Sequence, residues 1–191
     1  DPLTTHPETP IVSFTGGTVT GKHIASVTSP MFKKLSLELG GKNPNIVFSD
    51  ADFDKAVSFA SRAAFTNQGQ ICLCGSRLFI QEEIYERFRD ALVAKASKLI
   101  VGDPREASTN LGAVVSKEHM EKILNKIELA KVLGGKIILG GDRKILDGNL
   151  KDGYYIQPTI IEGLPFDCEV NQEEIFGPVV SIIPFKTEEE V

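Results

Sequence analysis

The stretch that decides the fold begins at Pro10. Pro10-Ile-Val-Ser-Phe14 has the apolar character of a buried strand, Gly16-Gly17 forms a turn, and Thr18–Thr28 predicts a helix. Strand, glycine turn and helix in succession are the unit from which α/β folds are built. Leu35-Ser-Leu-Glu-Leu39 then alternates apolar and polar residues, which predicts a second strand ending at Gly40-Gly41.

The same alternation of strands and helices continues along the chain. Asn45-Ile-Val-Phe48 predicts a strand, and Phe53, Ala56, Val57, Ala60 and Ala64 form the apolar face of a helix capped by Ser49, Asp50 or Asp52. Further strands are expected at 76–81, 136–139 and 155–161 (interrupted at Pro158), helices at 82–100 and from Ser116 to about 133, and a polar loop at 140–153. The pattern predicts an α/β fold of three layers, with helices flanking a mostly parallel sheet.

The composition of the chain limits the classes of partner and location that we expect. With 191 residues and 41% hydrophobic content, the chain has material for one or two domains. A net charge of −5 without Lys/Arg clusters argues against nucleic acid as a partner. No apolar run reaches the 18 or so residues that span a bilayer, so no membrane partner is expected. Three cysteines, an odd number, suit free thiols in a reducing compartment, and we expect a cytoplasmic location.

Both ends suggest that the chain is a fragment. It lacks an initiator Met, and Thr187-Glu-Glu-Glu190 has the form of a capping box that should open a helix just where the sequence stops.

Cys72 is the first candidate for chemistry. It lies in Asn67-Gln-Gly-Gln-Ile-Cys72, on a glycine-bearing loop between a predicted helix and a predicted strand, where reactive groups commonly occur. A catalytic cysteine needs a cation, base or helix N-terminus to favour the thiolate, and the sequence does not show which. Taken alone, a lone cysteine is more often a small buried hydrophobe. Cys74 is too close for a CxxC motif.

Glu38 is the second candidate. It stands at the end of a predicted strand, where apolar neighbours could raise the pKa of a carboxyl group and make it a general base. The more common alternative is a carboxylate in water at a strand edge. The turn from Phe14 to Thr18 offers backbone N–H groups to an anion, but Gly16, Gly17 and Gly21 do not fit the GxGxxG dinucleotide pattern.

Other polar groups carry less information. Glu173-Glu-Ile-Phe-Gly-Pro178 combines acids, an aromatic ring and a rigid turn, and by itself could be an ordinary solvated loop. His6, His23 and His119 are scattered without ligand spacing, and we expect neither a metal site nor a Ser-His-Asp arrangement.

Four segments in this order resemble the aldehyde dehydrogenase superfamily, over nearly the whole chain. Phe14-Thr-Gly-Gly-Thr-Val-Thr-Gly21 is similar to the family's phosphate-proximal turn, and Leu37-Glu-Leu-Gly-Gly-Lys42 to its general-base motif. Asn67-Gln-Gly-Gln-Ile-Cys72 is similar to its nucleophile loop, and Glu173-Glu-Ile-Phe-Gly-Pro178 to its nicotinamide-ribose motif. One such motif would be weak evidence for the resemblance, whereas four motifs in the same order are specific to the family.

The resemblance implies a role for each matched residue. Cys72 would attack an aldehyde to form a thiohemiacetal, which becomes a thioester, and its backbone N–H would be one oxyanion donor. The second donor, an Asn, would lie outside this chain. Glu38 would activate the water that hydrolyses the thioester. The residues implied to contact the cofactor, NAD with NADP not excluded, are Gly16, Gly17, Thr18, Gly21, Leu39, Glu174 (ribose hydroxyls) and Phe176 (nicotinamide ring).

The resemblance also implies the organisation of the chain. Residues 1–41 would be the C-terminal end of the NAD(P)-binding domain, and residues 42–191 most of the catalytic domain, truncated at its C-terminus. Gly17 replaces the serine of many members, which removes a hydroxyl contact to phosphate. We expect the fragment alone to be inactive and the parent enzyme to be a homodimer or homotetramer.

The substrate and two alternatives remain open. The sequences of Lys33–Pro44 and Ile71–Cys74 are most similar to those of the branch that oxidises 2-aminomuconic and 2-hydroxymuconic semialdehydes. A CoA-acylating semialdehyde dehydrogenase is an alternative, disfavoured by Glu38 because such relatives generally lack that base. A catalytically silent relative, such as a crystallin-like structural protein, is disfavoured by the presence of both Cys72 and Glu38.

Overall fold

A computed structural model describes residues 2–191, and the chain divides into two compact units at Gly41/Lys42. The first unit contains the predicted strand, turn and helix. Its elements are α1 (Pro2–Thr5), β1 (Ile11–Gly16), α2 (Thr18–Thr28), a 3-10 turn (Ser29–Met31) and β2 (Lys34–Leu39). β1 and β2 pair in parallel, with Thr15 opposite Glu38. The predicted helix over Thr18–Thr28 is confirmed at both ends.

The second unit is built around one sheet. Its elements are β3 (Pro44–Val47), α3 (Phe53–Phe65), a 3-10 turn (Thr66–Gly69), β4 (Arg77–Gln81), a 3-10 turn (Glu82–Ile84), α4 (Tyr85–Ala96), α5 (Lys117–Val132), β5 (Lys136–Leu139), β6 (Arg143–Lys144), a 3-10 turn (Gly148–Leu150), β7 (Tyr155–Ile156), β8 (Thr159–Glu162), α6 (Glu169–Gln172) and β9 (Val179–Phe185). The five-stranded sheet has the order β3-β4-β9-β8-β5, and β6 pairs with β7 separately.

The sheet is mostly parallel, as predicted. The pairs β3-β4, β4-β9 and β9-β8 are parallel, and only β5 runs antiparallel, against β8. Neighbouring residues of one strand enter different cores, since side chains alternate across a strand. Ile160 joins the core under α3 and α4, whereas Ile161 joins the core under α5. Helices therefore cover both faces, and the predicted three-layer α/β architecture is confirmed.

Two helix starts follow from the sequence. The Asp52 carboxylate accepts a hydrogen bond from the N–H of Lys55 at 3.3 Å and caps α3. The Ser116 hydroxyl accepts one from the N–H of His119 at 3.1 Å and caps α5. Each bond satisfies a donor that the first helical turn leaves free. The predicted cap at Ser116 is confirmed, and of the three candidates before α3 Asp52 is the one used.

Two other boundaries predicted from the sequence were wrong, those of one helix and one loop. The helix predicted over residues 82–100 is a 3-10 turn followed by α4, which ends at Ala96. The polar loop predicted over residues 140–153 contains the short strand β6. Pro158 does interrupt the strand predicted over residues 155–161, which is divided into β7 and β8. Strand β9 was not predicted at all, although it lies in the middle of the sheet.

Candidate active site

Cys72 lies on the loop between α3 and β4 and is exposed. The side chain of Asn43, which immediately precedes β3, holds this loop. Its Nδ2 donates to the carbonyl oxygen of Cys72 at 2.6 Å and to that of Cys74 at 3.2 Å. The backbone N–H of Cys72 makes no hydrogen bond to any residue that the structure describes. The loop thus presents an exposed thiol and a free backbone donor side by side.

The other two cysteines are buried. Cys74 is 8% exposed and Cys168 is 9% exposed. Burial raises the pKa of the Cys74 thiol, because the thiolate would lose its hydration. A thiol held in its protonated form is a poor nucleophile. Exposure therefore distinguishes Cys72 from its neighbour two residues away, a difference that the sequence does not show.

The backbone before Cys72 is strained. Asn67 and Gln68 have left-handed φ angles of 51° and 56°, a region that residues with a side chain seldom occupy. Gly69 follows with φ of 67°, and a Cβ atom there would lie 2.0 Å from the carbonyl oxygen of Gly177. The side-chain oxygen of Gln70 accepts a hydrogen bond from the N–H of Val115 at 3.0 Å. These contacts fix a conformation that the loop would not hold alone.

The segment around Glu174 packs against this loop through Gly177. Glu174 is exposed. Phe176 has a left-handed φ of 56°, and its carbonyl oxygen lies 2.6 Å from Nε2 of His119 on α5. Since a carbonyl oxygen can only accept, this contact requires the proton on Nε2. No sequence pattern indicated a role for His119 beyond its position on a helix, and its partner lies 57 residues away.

A salt bridge holds the chain just before Glu174. Nζ of Lys126, on α5, lies 2.6 Å from the Glu173 carboxylate and also contacts the carboxylate of Glu169. Lys126 is 22% exposed at its side chain, whereas both acids are more than half exposed. Such a pair contributes little to global stability, because water competes for the carboxylates. Its local effect is to tie α6 to α5 and to restrict the residues that follow.

Lys42 is a partly buried cation of this region. Burial is the largest influence on its ammonium group and lowers its pKa to about 8, while nearby Cys74 and Glu174 favour the charged form. Its carbonyl oxygen accepts two hydrogen bonds from Arg77, at 3.1 and 2.7 Å. The sequence marked Lys42 only as the end of a motif, and its burial became visible in the fold.

The predicted phosphate-proximal turn lies in the first unit. Gly17 caps α2 with an extended backbone and no side-chain hydrogen bond, and the space that a Cβ would occupy is open. The first-turn N–H groups, beginning at Thr18, can therefore donate hydrogen bonds to an anion. Gly21 packs on Leu39, whose Cδ2 would lie 2.7 Å from an added Cβ, and Gly16 packs on the ring of Phe14.

Glu38 is exposed on β2, so the burial among apolar neighbours that its strand position suggests is not observed. Its placement agrees with the more common alternative, a carboxylate in water.

Comparison with known proteins decides the family. The model of the aldehyde dehydrogenase family matches residues 1–191. The chain belongs to the aldehyde dehydrogenase family. A 2-aminomuconic semialdehyde dehydrogenase of Danio rerio is 44% identical to it, over 100% of this chain and 40% of the relative. A 4-trimethylaminobutyraldehyde dehydrogenase A of Danio rerio is 44% identical, over 97% of this chain and 37% of the relative.

A solved structure shows the same fold. A point mutant of betaine aldehyde dehydrogenase from Staphylococcus aureus, in complex with NAD+ and with a BME-modified cysteine, matches with a TM-score of 0.95 and 42% identity. The match covers 99% of this chain and 38% of that one. This aldehyde dehydrogenase chain thus spans about 40% of the length of the relatives it matches. The predicted 2-aminomuconic branch is among the matches, and a second branch is equally similar.

Two further findings concern metal binding and membrane spans in this aldehyde dehydrogenase chain. Among residues 2–191, no group of three or more His, Cys, Asp or Glu side chains is placed to hold a metal ion. Within the same residues, no helix is both long and apolar enough to cross a bilayer.

Proposed function

We propose that this chain is part of an NAD-dependent aldehyde dehydrogenase that oxidises an aldehyde, specifically a semialdehyde, to a carboxylate, with Cys72 as the nucleophile. The observation that carries this proposal is the state of the thiols. Cys72 is exposed on a braced loop beside its own free N–H, while Cys74 and Cys168 are buried. The BME-modified cysteine of the betaine aldehyde dehydrogenase relative supports a reactive thiol in this family.

Cys72 performs the first step. Its thiolate attacks the aldehyde carbon, a C–S bond forms, and the carbonyl oxygen takes the electron pair as an oxyanion. The backbone N–H of Cys72 donates to that oxyanion, a class of contact whose removal costs roughly 10² to 10³ in rate. The product is a thiohemiacetal, which becomes a thioester after loss of hydride. The contacts of Asn43 and Gln70 hold the loop, and with it both the thiol and the donor of Cys72, in one conformation.

Each unit contains residues suited to one part of a dinucleotide. In one unit, Gly17 leaves the first turn of α2 open to a phosphate, and Thr18 follows it at the helix start. In the other, Glu174 presents an exposed carboxylate suited to ribose hydroxyls, next to the exposed ring of Phe176. When bound, NAD+ supplies the hydride acceptor. The NAD+ complex of the structural relative supports NAD as the cofactor.

Glu38 completes the cycle in this proposal. Its carboxylate accepts a proton from water, the water oxygen attacks the thioester carbon, and the Cys72 thiolate leaves. The support is the motif Leu37–Lys42. Residues outside this chain would supply the second oxyanion donor and the adenosine contacts, so we infer that the chain alone is inactive. We also infer a homodimeric or homotetrameric parent enzyme in the cytoplasm, residues 1–41 as the end of its cofactor-binding domain and residues 42–191 as catalytic domain.

The test is a pair of cysteine variants in the enzyme that contains this chain. Cys72→Ala should abolish NADH formation from a semialdehyde, because no other exposed thiol lies on the loop. Cys74→Ala should keep most of the activity, since Cys74 is buried and protonated. Circular dichroism of both variants checks that they fold. Unchanged turnover in Cys72→Ala would rule out Cys72 as the nucleophile.

A further inference from the structure

A cleft of about 280 Å³ lies between α3 and α4, and the mechanism above does not use it. Arg62 of α3 and Lys95 of α4 both line it, and no Asp or Glu does. The chain as a whole has the opposite balance, with 26 acidic and 21 basic residues. Two cations that line one small space favour an anion there over a neutral or cationic ligand. The charge of the cleft therefore points to an anionic ligand.

Neither cation is neutralised by the protein. Arg62 and Lys95 form no ion pair and no side-chain hydrogen bond with the residues that the structure describes. By contrast, Lys126 of α5 contacts two carboxylates. An unpaired guanidinium beside an unpaired ammonium is suited to a carboxylate, whose two oxygens can accept from both.

Two polar side chains of the cleft also have hydrogen-bonding groups without a partner. The hydroxyl of Ser61 makes no hydrogen bond with residues 2–191, and its oxygen is not fully buried. Such a hydroxyl can donate a hydrogen bond to a ligand. Asn110 accepts a hydrogen bond from the N–H of Ile100 through Oδ1 at 2.8 Å, which leaves its Nδ2 as a free donor. The cleft thus offers a hydroxyl and an amide donor in addition to two charges.

The remaining walls are apolar. Phe65 and Leu99 line the same cleft. A strongly hydrated inorganic anion gains nothing from such walls, whereas the methylene groups of a short organic acid lose unfavourable contact with water there. The cleft also includes Thr66 and Asn67, which begin the loop that leads to Cys72.

We propose that this cleft binds the carboxylate of a small organic acid, between Arg62 and Lys95. Two sources have this chemistry: the acid end of a semialdehyde substrate and a free carboxylic acid that binds beside the nucleophile loop. Where the carboxylate belongs to the substrate, the inference rests on the proposed function and selects anionic over cationic aldehydes. The two relatives described above differ in this respect by name, one acting on a semialdehyde of an acid and the other on a trimethylamino aldehyde.

Binding to the chain itself is the first test, with glutarate as the probe in calorimetry. Arg62→Gln and Lys95→Met should each weaken glutarate binding about tenfold or more, as expected for a charge-assisted contact. Lys98→Met is the matched control: it removes the same charge three residues further on, from a side chain outside the cleft, and should leave binding unchanged. Absence of glutarate binding, or equal binding by the wild type and the double variant, would overturn the proposal.

The second test distinguishes the two sources in the enzyme that contains this chain. If the carboxylate belongs to the substrate, Arg62→Gln should lower kcat/KM for 4-oxobutanoate about tenfold and leave that for neutral butanal unchanged. If a free acid is the ligand, the two aldehydes should respond equally while glutarate binding is lost. An enzyme that oxidises neither aldehyde would refute the proposed function alone, because glutarate binding decides the cleft independently.

Discussion

At the scale of single residues, solvent exposure distinguishes two cysteines that are close neighbours in the sequence. Cys72 and Cys74 stand two positions apart on one loop, yet one is exposed and the other is buried with a raised pKa. The contacts that create this difference come from Asn43, Gln70 and Gly69, and the partners lie 29, 45 and 108 residues from them in the chain. The motif indicates Cys72 as the candidate nucleophile, but no local pattern could predict which residues hold its loop.

Glu38 provides the next prediction. In the enzyme that contains this chain, Glu38→Gln should slow hydrolysis of the thioester by roughly 10²-fold or more, because an amide cannot accept the proton of the attacking water. Acyl-enzyme should then accumulate, visible by mass spectrometry as an adduct on Cys72. Glu8→Gln, which neutralises another exposed carboxylate of the first unit, is the control. Normal turnover without trapped acyl-enzyme would remove Glu38 from the mechanism.

Lys42 should make stability depend on pH. Its pKa of about 8 in the folded chain lies below the ordinary 10.5. Between these pH values the unfolded chain binds more protons, so the contribution of Lys42 to the free energy of unfolding rises with pH across the window. Below pH 8 the full cost of burying the charge is present. Lys42→Met should therefore stabilise the chain at pH 7 by about 2 kcal/mol and lose its advantage towards pH 10.5.

Urea denaturation of both proteins at pH 7, 9 and 10.5 measures this difference. Lys98→Met, which removes an exposed ammonium, should show no such trend. A constant difference between Lys42→Met and the wild type over the three pH values would contradict the burial of a charged Lys42.

At the scale of elements, local signals predicted what local forces determine. Helix α2 and the cap at Ser116 could be predicted because glycines and a capping hydroxyl act within a few residues. Helix α4 ends earlier than its apolar stripe suggests, because the N–H groups of Lys98 and Leu99 bond to carbonyls three residues back and that of Ile100 bonds to Asn110. Strand β9 was missed because it follows directly on the Glu173–Pro178 motif, and its pairing with β4 and β8 is long-range.

The contact between two elements gives a sharper prediction at Gly69. Gly69→Ala places a Cβ at 2.0 Å from the carbonyl oxygen of Gly177 and forces a side chain into a left-handed φ. Backbone atoms cannot move away cheaply, so we expect a loss of stability of about 3 kcal/mol or more and displacement of the Cys72 loop. Gly134→Ala is the control, since Gly134 also has a positive φ but nothing within 4 Å. It isolates the backbone strain, which costs about 1 kcal/mol.

Thermal denaturation and the alkylation rate of Cys72 measure both consequences. If Gly69→Ala were no more destabilising than Gly134→Ala, the close approach of the loop to Gly177 would be wrong.

At the scale of the whole molecule, the two units differ in how much core they contain. Among residues 2–41 of the first unit the buried residues are Val12, Gly21, Ile24 and Thr28, whereas the second unit has two hydrophobic clusters, one on each face of its sheet. Units of about 40 residues seldom stabilise themselves by apolar burial alone. The sequence pattern predicted the three layers of the fold. It could not predict how much apolar surface each unit buries, because that depends on contacts between residues far apart in the sequence.

This difference predicts unequal protection from hydrogen exchange. In the 191-residue chain, amides of β1 and β2 should exchange roughly 10²-fold faster than those of β4 and β9, after correction for intrinsic rates. β4 and β9 are protected because they are central strands with covered faces, so their amides exchange only when the second unit unfolds. Those of β1 and β2 need only the opening of a two-stranded sheet with few buried side chains. Peptide-level mass spectrometry measures both sets in one sample, and equal protection would show that the first unit is as stable as the second.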